Sequence, residues 1–176
     1  MELINGLETE KLVQTVGQIK QDWNLGKTVW KATTKWKGGF RVLTCSREFS
    51  ISADEPDMLC GTDTAANPVE MILQAYGACL TIGYAMNAAV RGINLDDIQI
   101  ELEGEIDLPG FLGLEAPEEL NMDKLPGYKN IKANVKIKGD ADSNALRELH
   151  EHVLKTSPVG VTLSRGVKVS TSLEVV

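Results

Sequence analysis

The sequence carries none of the short signatures that announce common chemistries. It has no Gly-rich phosphate loop, no Cys-x-x-Cys pair, no His-Glu-x-x-His and no Gly-x-Ser-x-Gly elbow. The motif-based cases for nucleotide hydrolysis, dithiol exchange, zinc proteolysis and serine hydrolysis therefore fall away. Histidine is scarce too. His150 and His152 are two apart on an expected helix, so they point about 200° from one another and cannot share one metal ion. Both read as surface imidazoles, and neither a metal nor a cofactor is expected. Positive charge is in the minority, with 18 Lys and Arg against 25 Asp and Glu. The net charge of −7 and a pI near 4.9, with no run of Lys and Arg, speak against a nucleic-acid partner. Cysteine is sparse and odd in number, at three, and Met1 to Asn5 is not a basic-then-apolar leader. A disulfide-stapled secreted fold is thereby disfavoured, and a reducing cytoplasm is the expected setting. One stretch, Met71 to Val90, is twenty residues without a formal charge. Gln74 and Asn87 interrupt it and much of it is Ala and Gly, so it reads as a buried helix and no membrane association is expected.

What remains is an ordinary globular composition, 43% hydrophobic and 24% charged over 176 residues, enough for one domain with a sizeable core. Residues 6–22 are expected to form an amphipathic helix with Leu12, Val16, Ile19 and Trp23 on one face and Asn5 and Glu8 as a capping box. Strand-like alternation follows from Thr28 to Ile51, with a Lys37-Gly-Gly39 turn and a third strand over 48–53. A long helix is expected from Pro68 to about Arg91, with Asn67 as N-cap, Glu70 as its reciprocal partner and Gly92 as the stop. Its small residues, Gly83 among them, would let another helix come close.

Ile98, Ile100 and Leu102 alternate with Asp97, Gln99, Glu101 and Glu103, and Ile131, Ala133, Val135 and Ile137 alternate with Lys132, Lys136 and Lys138, giving two strands whose outer faces could pair by charge. Residues 108–127 between them read as a long loop. Asp142 caps a helix with Leu146, Leu149, Val153 and Leu154 as its apolar side, a short turn begins at Ser157-Pro158, and Val167 to Val175 reads as a last strand. Grouped strands broken by helices predict an α+β fold with mainly antiparallel pairing. The domain reading is a helical extension over 1–27 and a single domain over 28–176.

The chemistry concentrates on Cys79, inside Asn67-Pro-Val-Glu-Met-Ile-Leu-Gln-Ala-Tyr-Gly-Ala-Cys79. A cysteine between Ala78 and Leu80 is ordinarily a small buried hydrophobe. It lies about 16 Å along the helix from Pro68, too deep for the helix dipole to act on it. A reactive thiolate there requires a cation from another element, and Arg41 and Arg165 are the candidates. Together with Asp54-Glu-Pro56, Gly61-x-Asp63 and Ser157-Pro-Val followed by Thr162-Leu-Ser-Arg-Gly-Val167, this segment resembles the OsmC/Ohr superfamily, named for osmotically inducible protein C and organic hydroperoxide resistance protein. The resemblance covers residues 28–176. It implies an OsmC-like fold around a long central buried helix, an intertwined homodimer, and reduction of organic hydroperoxides by a thiol that an external thiol reductant regenerates.

Carried over residue by residue, the resemblance makes Cys79 the peroxidatic thiol and Arg41 the cation beside it. The supporting glutamate should follow Asn67-Pro68 directly. Val69 stands there instead, and Glu70 comes one residue, or about 100° of rotation, later. Ser157 occupies the resolving-cysteine position, and a hydroxyl cannot form a disulfide. Cys60 and Cys45 are the remaining thiols that could do so. The expected function is thus hydroperoxide reduction through Cys79 in a one-cysteine or atypical mode. The alternatives are a catalytically degenerate dimer binding a small apolar ligand and a scaffold that works through its N-terminal helix.

Overall fold

The computed structural model describes residues 3–115, 117–120 and 126–175. Its elements run α1 (Thr9–Gln21), β1 (Thr33–Trp36), β2 (Val42–Ser46), β3 (Phe49–Ala53), α2 (Pro68–Val90), β4 (Leu95–Ile106), α3 (Leu108–Phe111), β5 (Tyr128–Gly139), α4 (Ser143–Thr156) and α5 (Pro158–Ser164). This is the expected α+β order. The chain divides into two compact units, one of residues 8–74 and 102–134, the other of residues 3–7, 75–101 and 135–175.

In the first unit, β1, β2 and β3 form an antiparallel sheet in sequential order, with Trp36 opposite Val42 and Leu43 opposite Ser52. The β1–β2 turn needs positive φ at Gly38 (94°) and Gly39 (59°), which glycine adopts without a Cβ penalty. Lys37 N–H donates to the Arg41 carbonyl at 2.8 Å, and the Trp36 indole N–H to the Gly39 carbonyl at 2.7 Å, so the tip is fixed. The strand signal over Val29 to Ala32 has no ladder partner, and β1 is shorter than its alternation suggests.

After β3, Asp54 is buried (1% exposed) and organises the loop that leads to α2. Its carboxylate accepts the Glu55 and Thr62 N–H groups, the Thr62 hydroxyl at 2.5 Å, and both the N–H and the hydroxyl of Thr64. These donors, the Thr62 hydroxyl foremost, hold the carboxyl well below the usual carboxylate range despite burial. A depressed carboxyl adds stability above its unfolded value near 3.9, and that stability drains as pH falls toward the folded value. In melts from pH 7 to pH 3, Asp54→Asn should therefore cost most at neutral pH, the gap to wild type narrowing below about pH 4. A pH-independent gap would show that the charge contributes nothing.

Also in this unit, the Tyr128 hydroxyl donates to the Val69 carbonyl at 2.8 Å, and its ring lies where Gly104 has no Cβ. Burial pushes the Tyr128 hydroxyl pKa up. The loop expected over 108–127 contains α3 and a 3-10 turn over Glu118–Leu120; its residues 116 and 121–125 lie outside the described part.

The second unit holds most of the core: Leu80, Tyr84, Ala88, Ala89, Ile93, Leu149 and Val153. α2 and α4 meet where Gly83 lies so near Val153 that a Cβ there would sit 3.0 Å from the valine Cγ1. Tyr84, fully buried, bonds through its hydroxyl to His150 Nδ1 at 2.5 Å, with the two rings stacked 6.1 Å apart. Burial, aided by Tyr76, pushes the Tyr84 hydroxyl up to about 12. His150 is thus a helix-pairing residue and not a bare surface imidazole. Leu154 is exposed, so the apolar side of α4 is narrower than expected.

The N-terminal residues also depart from expectation. Asn5 does not cap α1; Glu8 does, with no side-chain hydrogen bond. Asn5 instead takes a left-handed backbone (φ 53°), and its side chain donates to the Ile93 carbonyl at 2.9 Å while accepting the Leu95 N–H at 2.8 Å.

β4 and β5 pair as a two-stranded ribbon, and the ion pairs Lys138–Asp96 (3.3 Å), Lys136–Glu101 (3.1 Å) and Lys129–Asp107 run in opposite order along it, as antiparallel strands require. The acidic and basic outer faces read from the sequence do meet, though the two exposed pairs, Lys138–Asp96 and Lys136–Glu101, add only about 0–1 kcal/mol each. Val167 to Val175 keeps its alternation but joins no strand among the described residues, so the expected last strand is an unpaired extended segment. α2 buries one side and leaves Ile72, Ile82, Met86 and Val90 exposed. No helix among the described residues is long and apolar enough to cross a membrane.

Candidate functional site

Two separate sequence segments converge in the second unit. Cys79, half-buried on α2, has its Sγ 3.2 Å from the Oγ of Ser157, the 4%-exposed residue between α4 and α5. The capping logic of α5 places the serine. Ser157 has extended dihedrals (φ −70°, ψ 112°), Pro158 opens the helix, and the Gly160 N–H donates to Oγ at 3.1 Å. With that N–H on the oxygen, the hydroxyl proton is free to donate to Cys79 Sγ. Gly160 must be small here, because a Cβ would lie 2.9 Å from the Tyr76 ring. The contact is between a thiol and a hydroxyl, and a hydroxyl cannot itself take part in disulfide formation.

The other two candidate residues belong to the first unit. Glu70 completes the capping box at the start of α2: its carboxylate accepts the Asn67 N–H at 2.9 Å, and the Asn67 side chain accepts the Glu70 N–H at 2.9 Å. Arg41 follows the β1–β2 turn and borders a cavity of about 390 Å³ together with Lys37, Leu43, Ser52 and Thr64. Glu70 and Arg41 make no ion pair within 4 Å among the described residues. Arg165 ends α5 with extended backbone and is exposed. Cys45 lies in β2 opposite Thr33 and Ser50, Cys60 is exposed with φ 66°, and all three thiols are free. Among the described residues, no three His, Cys, Asp or Glu are grouped to hold a metal ion.

Sequence reasoning missed Asp54 as a hub and the Tyr84–His150 pair. The first had a usable signal in the Thr62-x-Thr64 spacing after it; the second had none, because it depends on how two helices pack.

The arrangement defines an α+β protein with one thiol at the meeting of a long helix and a Ser-Pro-capped turn. A family model described as OsmC-like protein matches residues 61–172, and the chain belongs to that family. The fold agrees. An OsmC-like protein from Mycoplasma pneumoniae superimposes with a TM-score of 0.64 at 17% identity, over 78% of this chain and 89% of that one. An organic hydroperoxide resistance protein OsmC from Legionella pneumophila gives 0.56 at 19%, over 78% and 91%. An organic hydroperoxide resistance protein from Elizabethkingia anophelis gives 0.54 at 16%, over 80% and 91%. A comparison with curated proteins finds no match.

Proposed function

We propose that this protein reduces organic hydroperoxides through Cys79 in a one-cysteine mode, as a cytoplasmic homodimer supplied with an external thiol. The observation that carries this reading is the 3.2 Å contact between Cys79 Sγ and Ser157 Oγ. It sets a hydroxyl from the second sequence motif against the helix thiol, within reach to donate to a thiolate there. The Cys79 thiolate attacks the terminal oxygen of the hydroperoxide, the O–O bond breaks, and the alkoxide leaves with a proton as the alcohol. Sulfur is oxidised to a sulfenic acid. A small thiol then displaces water to give a mixed disulfide, and a second thiol molecule releases Cys79 and carries away its own disulfide. Dimer formation is supported by the apolar residues each chain leaves bare, Ile82 and Val90 on α2 and Val169, Leu173 and Val175 near the C-terminus.

A second reading, a catalytically silent relative that binds a small apolar ligand, is favoured by one observation. Glu70 is committed to capping Asn67, and Val69 stands where the supporting glutamate should be. One experiment separates the two: intact mass after one equivalent of cumene hydroperoxide without reductant. The expected result is addition of one oxygen at Cys79, lost in Cys79→Ser, with consumption of the hydroperoxide in the presence of a small thiol also abolished by that change. An unchanged wild-type mass would sink catalysis and leave the ligand-binding reading.

A further inference from the structure

Asn5 is the one asparagine of the chain that a glycine follows. The pair forms the centre of a two-residue hairpin turn. The Leu7 N–H closes it onto the Ile4 carbonyl at 3.0 Å, and the Ile4 N–H onto the Leu7 carbonyl at 3.3 Å. Both central residues have positive φ, 53° at Asn5 and 74° at Gly6, as in the primed turn that favours Asn-Gly. The two residues are held very differently. The Asn5 side-chain amide is engaged at both ends. Its Nδ2 donates to the Ile93 carbonyl at 2.9 Å and, more weakly, to the Ala85 carbonyl at 3.5 Å, while its Oδ1 accepts the Leu95 N–H at 2.8 Å. These partners and residues 3–7 all belong to the second unit. The Gly6 N–H meets no acceptor among the described residues. Gly6 is exposed, and a Cβ there would meet nothing within 4 Å. A free backbone nitrogen thus follows directly on an amide carbon that is tied down.

We propose that Asn5 is a site of spontaneous deamidation, gated by the docking of its own side chain on Ile93 and Leu95. The Gly6 backbone nitrogen gives up its proton to solvent base and attacks Asn5 Cγ. The Cγ–Nδ2 bond breaks, ammonia leaves, and a succinimide ring closes. Water then opens the ring at either carbonyl, leaving aspartate or isoaspartate at position 5, with nothing oxidised or reduced. Glycine leaves the attack unhindered because no side chain flanks its nitrogen. The docked geometry opposes it, since Nδ2 and Oδ1 must leave their backbone partners before Cγ can turn onto the Gly6 nitrogen. The products cannot dock as asparagine does. Aspartate has no N–H for the Ile93 carbonyl and sets a negative charge beside it. Isoaspartate routes the main chain through its Cβ and lengthens a turn that holds only two residues. The modification is therefore a one-way release of the chain's first turn, independent of any reaction at Cys79.

Storage of the full-length protein at mildly alkaline pH, with and without urea, followed by peptide mapping, tests it. Conversion at Asn5 is expected in both samples, about tenfold slower without urea, the scale set by the hydrogen bonds that must first open. The isoaspartate form, isolated by chromatography, should exchange its Leu95 amide with solvent about tenfold faster than fresh protein, because Asn5 Oδ1 no longer accepts from it. Asn5→Ala, which cannot deamidate, should show that fast Leu95 exchange when fresh and no change on storage. Conversion at Asn5 as fast without urea as with it would overturn the gating. Conversion confined to the urea sample, or absent at Asn5 from both, would overturn the site. Slow Leu95 exchange in the isoaspartate form or in Asn5→Ala would overturn the release.

Discussion

Gly61→Ala should unfold the loop ahead of α2 and lower thermal stability more than any other single-methyl addition in the first unit. A Cβ at residue 61 would sit 1.7 Å from the Glu55 carbonyl oxygen and 2.2 Å from its carbon, both backbone atoms that no rotamer change can move. Relief requires residues 55–63 to spread. That spreading breaks the Asp63 N–H bond to the Glu55 carbonyl and the Thr62 contacts of the buried Asp54. Overpacking alone costs about 1–3 kcal/mol, and losing a hydrogen-bonded loop adds to it, so about 3 kcal/mol or more is expected. For a chain of this length that lowers the melting temperature by about 6–12 °C, read by calorimetry. A shift under a degree would mean that the loop adapts without cost and that its packing does not position α2.

Ser157→Cys should convert the one-thiol site into a disulfide-forming one. The introduced sulfur would start near the 3.2 Å now separating Ser157 Oγ from Cys79 Sγ, while an S–S bond is about 2.05 Å. The gap is small beside the reach of a side-chain rotation. Oxidised Cys79 would be attacked by the new thiol, water would leave, and the chain would lose two hydrogens relative to its reduced form. Peptide mapping should then join residues 79 and 157. The change also removes the oxygen that caps α5, at a cost of about 1 kcal/mol, so slightly lower stability should accompany the new bond. If both thiols still react with iodoacetamide after peroxide treatment, either Cys79 is never oxidised or the two positions part in solution. The first alternative is separately read from the wild-type mass.

Local chemistry was legible from the sequence and long-range pairing was not. The Asn67–Glu70 capping box, the Asp142 cap and the Gly92 stop all stand as read, because each is decided within a turn of chain. The charge match of β4 and β5 was readable because two alternating strands of opposite sign pose few choices. Asn5 misled: Asn and Glu three apart signal a cap, but the Ile93 carbonyl and Leu95 N–H, nearly ninety residues away, offered the side chain better partners. His150 misled for the same reason, as only the packing of α4 on α2 brings Tyr84 to it. Alternation over Val167 to Val175 reports a preference for extended backbone, and a strand also needs a neighbour. At the site, Cys79 and Ser157 were read separately from their flanking motifs, and the fold supplies the contact between them.

The Asn5 side chain stitches the start of the chain to the turn after α2, bonding the Ile93 carbonyl and the Leu95 N–H. Trimming the first 25 residues to remove α1 would discard that stitch as well and leave the turn frayed. A truncation meant to ask what α1 does should splice out residues 9–25 and retain Leu3 to Leu7. Otherwise a damaged turn between α2 and β4 would be mistaken for a lost partner.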